Sequence, residues 1–422
     1  MAAVTPSDLT GLFKEVYGDS VINLIPGSAK FTKMVPFVQR EKELGNLYHQ
    51  PVVVTYSHGV TYAAANAGAF SLNSTVAMSM QDAQVNAPQI LLREALAYDA
   101  AAKASRGPKA FVAATELLVE TMMESTMKRV ELATWYGGVG LGQVASGGLS
   151  NTNATTEVAT ISLATWAAGI WAGMKNAKIN FYDSNGTLIS SGDDSVFTIS
   201  SVNVANRTLT VTGTSTGITA LDGASNFPLD IYFNGANGAE MSGIDTILTN
   251  TGTLFNISAT TYELWKGNSY SAGSAALTFG KVLAAIADAV NLGLDEKVCL
   301  WVNPSTWANL NSDLAALRRL DGSYKKSRGE NGQEEIVYYG QNGEIEVKSH
   351  NCIKKGEAFI LPMKKCKRLG AQDVSFKTPG REDEIFLHLP DNAGFELRTY
   401  TDQQVFIETP ARCVKVTNIV NA

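Results

Sequence analysis

The chain has 422 residues, of which 45% are hydrophobic and 18% are charged, and its formal net charge is −6 at pH 7. A chain of this size and hydrophobicity can bury one large core or two to three smaller ones. The negative net charge argues against a dedicated nucleic-acid-binding protein, because such proteins need a dominant basic face that displaces counterions.

Cysteine and histidine are scarce, and their spacing matches no metal-binding pattern. The cysteines are Cys299, Cys352, Cys366 and Cys413, and the histidines are His49, His58, His350 and His388. Without a CxxC or an HExxH pair, the cysteines indicate reduced thiols rather than a disulfide framework or a zinc site. No charged-then-apolar leader opens the chain, and no apolar run approaches the roughly 20 residues of a bilayer span. We expect a soluble protein that is made in a reducing compartment.

Residues 1–35 show few periodic apolar positions. The stretch TPSDLTGLFKEVYG is compatible with a short helix capped by Thr5 or Ser7. We interpret this region as an extended arm whose contacts lie elsewhere in the assembly.

The pattern from Leu44 to Arg93 predicts a long two-stranded ribbon. The β-branched stretch QPVVVTYSHGVTY leads to a tip at AAANAGAF, and LNSTVAMSMQDAQVNAPQILL returns. The faces mix Thr, Ser, Ala and Asn with few bulky side chains, and such a ribbon is not stable alone in water. Because the rest of the chain offers no obvious cover, we expect another subunit to provide it.

A long helix is predicted after Gly107-Pro108. No Gly or Pro interrupts the chain until Gly137, and apolar residues such as Leu118 and Met122 recur with a helical period. The methionines of this stretch favour ordinary packing over an adaptable binding groove.

Composition changes between Val139 and Ala239, where Gly, Ser, Thr and Asn dominate. The stretches AKINFYD, SVFTISSVNV, RTLTVTG and PLDIYFNG predict strands of a small β-barrel or sandwich inserted into a host domain. Its aspartates match no calcium-loop spacing, so turn chemistry explains them better. They are Asp183, Asp193, Asp194, Asp222 and Asp230.

The host domain resumes after the insertion. The stretch ALTFGKVLAAIADAVNLGL predicts a helix with Val282, Ile286, Ala289 and Val290 on one face, and VCLWV predicts a buried strand. Further strands are predicted at EEIVYYG, EIEVKS and EAFILP, and the chain closes with strands in EIFLHL, FELRTYTDQQVFIETP and ARCVKVTNIV.

The corner Asn303-Pro304 after the buried strand is the most site-like feature, because turns after strands often carry catalytic groups. Pro304 suits the first helical turn and Asn303 suits the cap, to which Ser305 and Thr306 can add. No GxSxG motif, nearby histidine or glycine-rich loop accompanies it. The corner therefore favours packing over catalysis.

Other motifs point to no chemistry either. GGVGLG at Gly137 follows a helix rather than a strand, which is the wrong context for a dinucleotide loop. The basic runs Arg318–Arg328 and Lys364–Arg368 are not interleaved with stacking aromatics and indicate solvated or interface faces. We predict no catalytic, cofactor-binding or metal site.

The order of these parts resembles the major capsid protein of tailed bacteriophages, an α+β fold shared with herpesvirus capsid floors and encapsulins. The stretches QILLREALAYDAAAKA, GIDTILTNTGTLFNIS and VCLWVNPSTWANL carry the resemblance. It covers the chain except for the β insertion, where many such proteins carry an extra surface domain.

The resemblance implies a division of the chain into named parts. Residues 1–35 would be the N-terminal arm, 36–106 the extended-loop region, 107–138 the spine helix of a peripheral domain and 139–239 the inserted β domain. Residues 240–276 would continue the peripheral domain, 277–375 would form the axial domain and 376–422 would return as peripheral strands.

Partners follow from the same resemblance. It implies self-assembly into hexamers and pentamers that form the icosahedral shell of the virion. The shell would be assembled in the bacterial cytoplasm. It would enclose double-stranded DNA and contact that DNA without sequence specificity. A separate scaffolding protein, a portal and a decoration protein would be further partners, and no membrane is involved. No lysine lies between Lys42 and Lys103, so the isopeptide cross-link that some relatives form from this loop lacks its nucleophile.

Two other functions compete with a phage capsid. An encapsulin would enclose an enzyme cargo with the same fold, although such chains are shorter and lack a large insertion. A hydrolase or carbohydrate-binding protein would use aromatic residues of the insertion to stack sugars. Those residues are Trp166, Trp171, Tyr182, Tyr232 and Phe233.

Overall fold

A computed structural model describes residues 29–39, 47–97, 112–313, 336–376, 387–389 and 393–421. The helices are α1 (Phe31–Met34), α2 (Val112–Tyr136), α3 (Ala168–Trp171), α4 (Ser215–Asp222), α5 (Ile244–Leu248), α6 (Phe279–Asn291) and α7 (Pro304–Asn311). The strands are β1 (Phe37–Gln39), β2 (Tyr48–Thr55), β3 (Ser79–Val85), β4 (Gln89–Ala97), β5 (Gly142–Asn153), β6 (Thr156–Ile161), β7 (Lys178–Tyr182), β8 (Phe197–Asn203), β9 (Thr208–Thr212), β10 (Leu229–Phe233), β11 (Thr253–Leu254), β12 (Ile257–Ser258), β13 (Asn268–Ala275), β14 (Val298–Val302), β15 (Ile336–Gly340), β16 (Gly343–Ser349), β17 (Ala358–Leu361), β18 (Cys366–Ser375), β19 (Leu387–His388), β20 (Gly394–Ile407) and β21 (Val414–Ile419). The predicted arm before residue 29 and the basic run Arg318–Arg328 lie outside the described residues.

The long helix α2 is present as predicted over the part that the structure describes. Met122 is 1% exposed, so this methionine packs in the interior. The helix ends at Tyr136, and the next position requires glycine because a Cβ added to Gly137 would collide with the carbonyl oxygen of Met241. Gly138 then takes a φ of 85°, a conformation that favours glycine.

A six-stranded sheet forms one half of the host, in the order β13-β21-β17-β14-β16-β15. Every residue of β14 is buried, as its apolar sequence predicts. Helix α6 begins at a Thr278 cap and buries Val282, Ile286 and Ala289 in a core shared with this sheet. The predicted helix and strand are therefore confirmed.

A second sheet has the order β1-β18-β20-β19, and β4 pairs with β20. Nine consecutive pairs join β4 to β20, from Gln89 opposite Asp402 to Ala97 opposite Gly394. Strand β18 was not predicted, because its sequence begins within the basic run at Lys364–Arg368. Strand β21 follows β20 in the chain but lies in the other sheet.

The two-stranded ribbon is shorter than its sequence predicts. Only β2 and β3 pair, from Tyr48 opposite Val85 to Thr55 opposite Ser79, and the chain between them has no regular strand. The expected return over APQILL is wrong, because β4 leaves the ribbon to pair with β20.

The insertion is a closed six-stranded barrel in the order β10-β5-β6-β9-β8-β7. The four predicted strands are confirmed as β7 to β10. Sequence reasoning missed β5 and β6, because Gly, Ser, Asn and Thr give them little strand signature. Apolar side chains such as Phe181, Phe197 and Leu209 fill the interior.

The barrel is not an independent body, because it shares its core with the host. Trp166 and Trp171 are 2% and 0% exposed and belong to one apolar cluster with Trp135 and Trp301 of the host. Backbone bonds join the same segment to the host loop after β16: Lys355 N–H donates to the Trp166 carbonyl at 3.0 Å.

Candidate assembly surface

The exposed large apolar side chains of the described chain are most concentrated on the ribbon and its tip, residues 53–80. Tyr62 is 89% and Leu72 is 79% exposed. The structure corrects the expectation of few bulky residues here. The exposed large apolar side chains are Val53, Tyr56, Val60, Tyr62, Phe70, Leu72, Val76, Met78 and Met80.

This surface is also uncharged. Between Pro51 and Gln81 the sequence contains no Asp, Glu, Lys or Arg, and His58 is its one titratable side chain apart from tyrosines. Because exposed apolar area of this extent is rare on monomers, it marks an interaction surface. Without charged groups, attraction to a partner has to come from apolar burial and backbone hydrogen bonds.

The base of the ribbon is held by packing and hydrogen bonds to the rest of the chain, whereas its tip makes few backbone hydrogen bonds. Ala83 and Val85 are buried against Trp265 and Phe406. The amide of Gln84 donates to the Phe255 carbonyl at 3.0 Å. Beyond the paired strands, the tip has few backbone bonds, such as that from His58 N–H to the Val76 carbonyl at 3.1 Å.

An ion-pair cluster lies where β4 joins β20. Glu396 is almost buried and contacts Arg398 at 2.5 Å and Arg93 at 2.9 Å. The hydrogen bond from Arg398 outweighs burial and, together with Arg93, lowers the pKa of Glu396. The cluster ties the segment that leaves the ribbon to the sheet.

A buried carboxylate anchors the segment at residues 29–39. Glu131 of α2 accepts the backbone N–H groups of Phe31 and Thr32 at 2.9 Å each. It also contacts His350 at 2.9 Å and accepts from the Trp135 indole at 3.2 Å. Burial favours the neutral acid, but the bonds from His350 and Thr32 prevail and lower the pKa of Glu131.

A second buried network joins the helix α5, the turn before β17 and β21. Lys415 lies 2.5 Å from Asp245 and 3.1 Å from Glu357. Burial and the charge of Glu357 raise the pKa of Asp245. Burial lowers the pKa of Lys415, but the two carboxylates prevail and leave it raised. Nearby Lys354 lies over the Tyr136 ring, 4.0 Å from its centroid.

The corner at Asn303-Pro304 is a packing corner. Asn303 caps α7 by accepting the Ser305 N–H at 3.0 Å, and its amide donates to the Ile353 carbonyl at 2.7 Å. Thr306 does not add to the cap; its hydroxyl donates to Asn421 at 3.1 Å. The side chains of Asn303 and Thr306 thus hold neighbouring segments.

The aromatic residues proposed for sugar stacking do not form one exposed face. Trp166 and Trp171 are buried in the shared core. Tyr182 and Tyr232 pack edge to face at 5.3 Å, and the Arg129 guanidinium lies 3.3 Å from the Phe233 ring centroid. The structure therefore gives no support to a stacking platform.

Most cations of the basic run Lys364–Arg368 are paired within the chain. Lys365 and Lys367 contact Glu408, and Arg368 contacts Asp373 at 3.0 Å and Gln403 at 2.8 Å. The expectation of a solvated or interface face is wrong for Arg368, which is 7% exposed.

Two further properties concern the described residues as a whole. None of their helices is long and apolar enough to span a membrane. Within the same ranges, no three His, Cys, Asp or Glu side chains are grouped so that they could hold a metal ion. Sequence reasoning missed Glu131 and Lys415. Lys415 carries a signal, because it is a charge between Val414 and Val416, whereas Glu131 follows Lys128 and Arg129 and carries none.

No known protein family and no curated protein matches the chain by sequence. Among solved structures, it is similar to a chain of the cyanophage A-1(L) capsid asymmetric unit, with a TM-score of 0.56 and 12% identity over 99% of both chains. A chain from the capsid of a native GTA particle has a TM-score of 0.52 and 10% identity, covering 100% of this chain and 99% of that one. The chain therefore has the α+β phage capsid fold that its sequence resembles, with a six-stranded barrel inserted.

Proposed function

We propose that this chain with a phage capsid fold is the major capsid protein of a tailed bacteriophage. It assembles as hexamers and pentamers into an icosahedral head around double-stranded DNA, and it acts without catalysis. Assembly takes place in the bacterial cytoplasm, and the mature location is the virion.

The observation that carries this proposal is the uncharged apolar surface of residues 53–80. The base of the ribbon packs against the rest of the chain, while the apolar side chains of its tip are exposed. On a chain with a capsid fold, such a ribbon is suited to contact a second copy of the chain. Each Å² of apolar surface removed from water stabilises by about 25 cal/mol. Side chains such as Tyr62 and Leu72 therefore favour association as soon as a neighbour covers them.

The division of the chain follows the same proposal. Residues 1–35 serve as the arm, 36–106 as the extended-loop region and 107–138 as the spine helix of the peripheral domain. The barrel occupies residues 139–239, and the peripheral domain continues over residues 240–276. The axial domain spans residues 277–375, and residues 376–422 return to the peripheral domain as strands. A scaffolding protein, a portal, a decoration protein and unspecific contacts with DNA complete the partners.

Electron microscopy of the purified protein tests the proposal. We expect closed shells from the wild-type chain, alone or with its scaffolding protein. The double variant Tyr62→Ser/Leu72→Ser should leave a folded subunit, judged by circular dichroism, that forms no shells. Val204→Ser is the matched control, because Val204 is exposed on the barrel and lies outside the ribbon.

The outcomes separate the competing functions. Shells that package DNA in infected cells support a phage head, whereas shells that enclose a co-purified enzyme indicate an encapsulin. A ribbon variant that assembles like the wild type, or a wild-type chain that never forms particles, contradicts the proposal.

A further inference from the structure

The barrel contains a carboxyl group in its interior. Along β6 every second residue is buried, so Glu157 shares the inner face of the strand with Ala159 and Ile161. Its relative exposure is 0%, as it is for those two neighbours. A glutamate therefore stands where the alternation of the strand calls for an apolar side chain.

No cation of the described residues compensates this group. Neither carboxylate oxygen of Glu157 accepts a well-formed hydrogen bond from the described residues. The strands paired with β6 are β5 and β9, and neither contains a charged residue. An ionised carboxylate in this position would be costly, since isolated buried charges are rarely tolerated.

Helix α4 packs against β5 and β6 and covers this end of the barrel. Its own side chains Ile218 and Leu221 are buried, and Thr214 caps its first turn by accepting the Gly217 N–H at 3.1 Å. The one charged residue of the helix is Asp222, and at the other end of the helix Asp194 accepts the Thr216 hydroxyl. The charged groups on and beside helix α4 are thus acids, whereas the Arg207 guanidinium donates to the carbonyl of Ile161, the last residue of β6, at 3.3 Å.

These surroundings favour the neutral acid. Burial raises the pKa of Glu157 to about 7, the negative charge of Asp222 adds to the effect, and the nearby backbone N–H of Ser150 opposes it. The neutral carboxyl fits an apolar interior far better than its anion does.

We propose that Glu157 makes the closure of this end of the barrel by helix α4 depend on a proton. With a neutral carboxyl, α4 packs over the apolar interior. When Glu157 loses its proton, the anion needs water, and the helix end of the barrel opens more often. This inference does not rest on the proposed capsid function.

The direction of the pH effect follows from the raised pKa. The stabilisation that the neutral Glu157 carboxyl gives to the closed barrel is fully present below about pH 4.5, where an unfolded glutamate is also protonated. It is lost as the pH rises toward about 7 and changes little above that value.

Hydrogen exchange of the full-length subunit, read by mass spectrometry as protection factors, tests the proposal. Between pH 5 and pH 8 we expect protection of peptides from α4 and β6 to fall about tenfold to a hundredfold. Peptides from β14 serve as an internal reference. In the variant Glu157→Gln, which is neutral at both pH values, protection of α4 should not change with pH.

Equal pH dependence in the wild type and in Glu157→Gln would overturn the proposal, as would constant protection of α4 in the wild type. Should the variant fail to fold, infrared spectroscopy of Glu240→Gln protein with isotope-labelled glutamate decides instead, because burial also raises the pKa of Glu240 to about 7 and its band would otherwise overlap. A carboxylic-acid band that persists at pH 6 and disappears by pH 8 supports the proposal, and its absence at pH 6 refutes it.

Discussion

The carboxylate of Glu131 accepts the backbone N–H of Phe31 at 2.9 Å, although one hundred positions separate the two residues in the chain. The contact places the Phe31 ring 4.7 Å from the Trp135 ring and 5.6 Å from the Trp301 ring. One acidic side chain thus joins the segment at residues 29–39 to the long helix and to the six-stranded sheet.

We expect Glu131→Gln to reduce the free energy of unfolding by about 2–4 kcal/mol, because buried donors to a charged acceptor lose their partner. Denaturant unfolding of the subunit measures the change. Glu120→Gln is the control, since Glu120 is exposed on the same helix. An effect of Glu131→Gln no larger than that of the control would contradict the anchoring role.

The lowered pKa of Glu131 also predicts a pH dependence. Its contribution is present above the pKa of an unfolded glutamate, about 4.3, and is lost as the pH falls below that value. Unfolding curves at pH 7 and pH 3.5 should therefore differ more for the wild type than for Glu131→Gln. Identical pH responses would show that folding leaves the pKa of this carboxyl unchanged, and they would contradict the lowered pKa.

Replacing Lys415 by Met should destabilise the subunit by about 3–5 kcal/mol at pH 7, because Asp245 and Glu357 are left in the interior without their cation. Lys367→Met is the matched control: its partner Glu408 is half-exposed, and such pairs contribute about 0–1 kcal/mol. Thermal unfolding at equal concentration compares the two. Similar losses in both variants would argue against a buried ionic network.

Deleting residues 139–239 and joining the ends with a Gly/Ser linker should give insoluble protein. The deletion removes Trp166, Ile170 and Trp171 from the shared core, and the loss of one such side chain costs about 3–5 kcal/mol. A four-residue Gly/Ser insertion after Ala205, an exposed turn of the barrel, should be tolerated. A soluble, folded deletion variant would mean that the host completes its core alone.

Hydrogen exchange should show that residues 56–78 become protected only on assembly. In the free subunit this tip makes few backbone hydrogen bonds, so its amides should exchange within seconds to minutes. Comparison of free subunits with purified shells measures the difference, and peptides from β14 should be protected in both. Unchanged exchange of the tip would place the contact between copies elsewhere.

Mature particles should contain no covalent links between subunits. The loop between Lys42 and Lys103 offers no lysine, and all four cysteines are buried without a disulfide. Particles boiled in detergent without reductant should give one band near 45.0 kDa on a gel. A ladder of multiples of that mass would reveal a linkage chemistry that uses other residues.

The helices and strands with a strong hydrophobic periodicity were predictable from the sequence. The elements with which they pack or pair were not. The apolar run of β14, the Asn303 cap and the four strands β7 to β10 follow from local chemistry. Strand β4 was assigned to the wrong partner, because a strand with no fully buried face carries little local information about which strand it pairs with. Glu131 was missed because a single glutamate in a helix has no local sign of burial.

The position of β21 in its sheet bears on synthesis of the chain. This strand is made after every other described strand, yet it lies between β13 and β17 and is the only partner of β13. A nascent chain therefore carries two unpaired strand edges until residues 414–419 leave the ribosome. Products that lack residues 414–419 retain those edges and cannot close the sheet, so the exposed edges of β13 and β17 are open to pairing with strands of other chains.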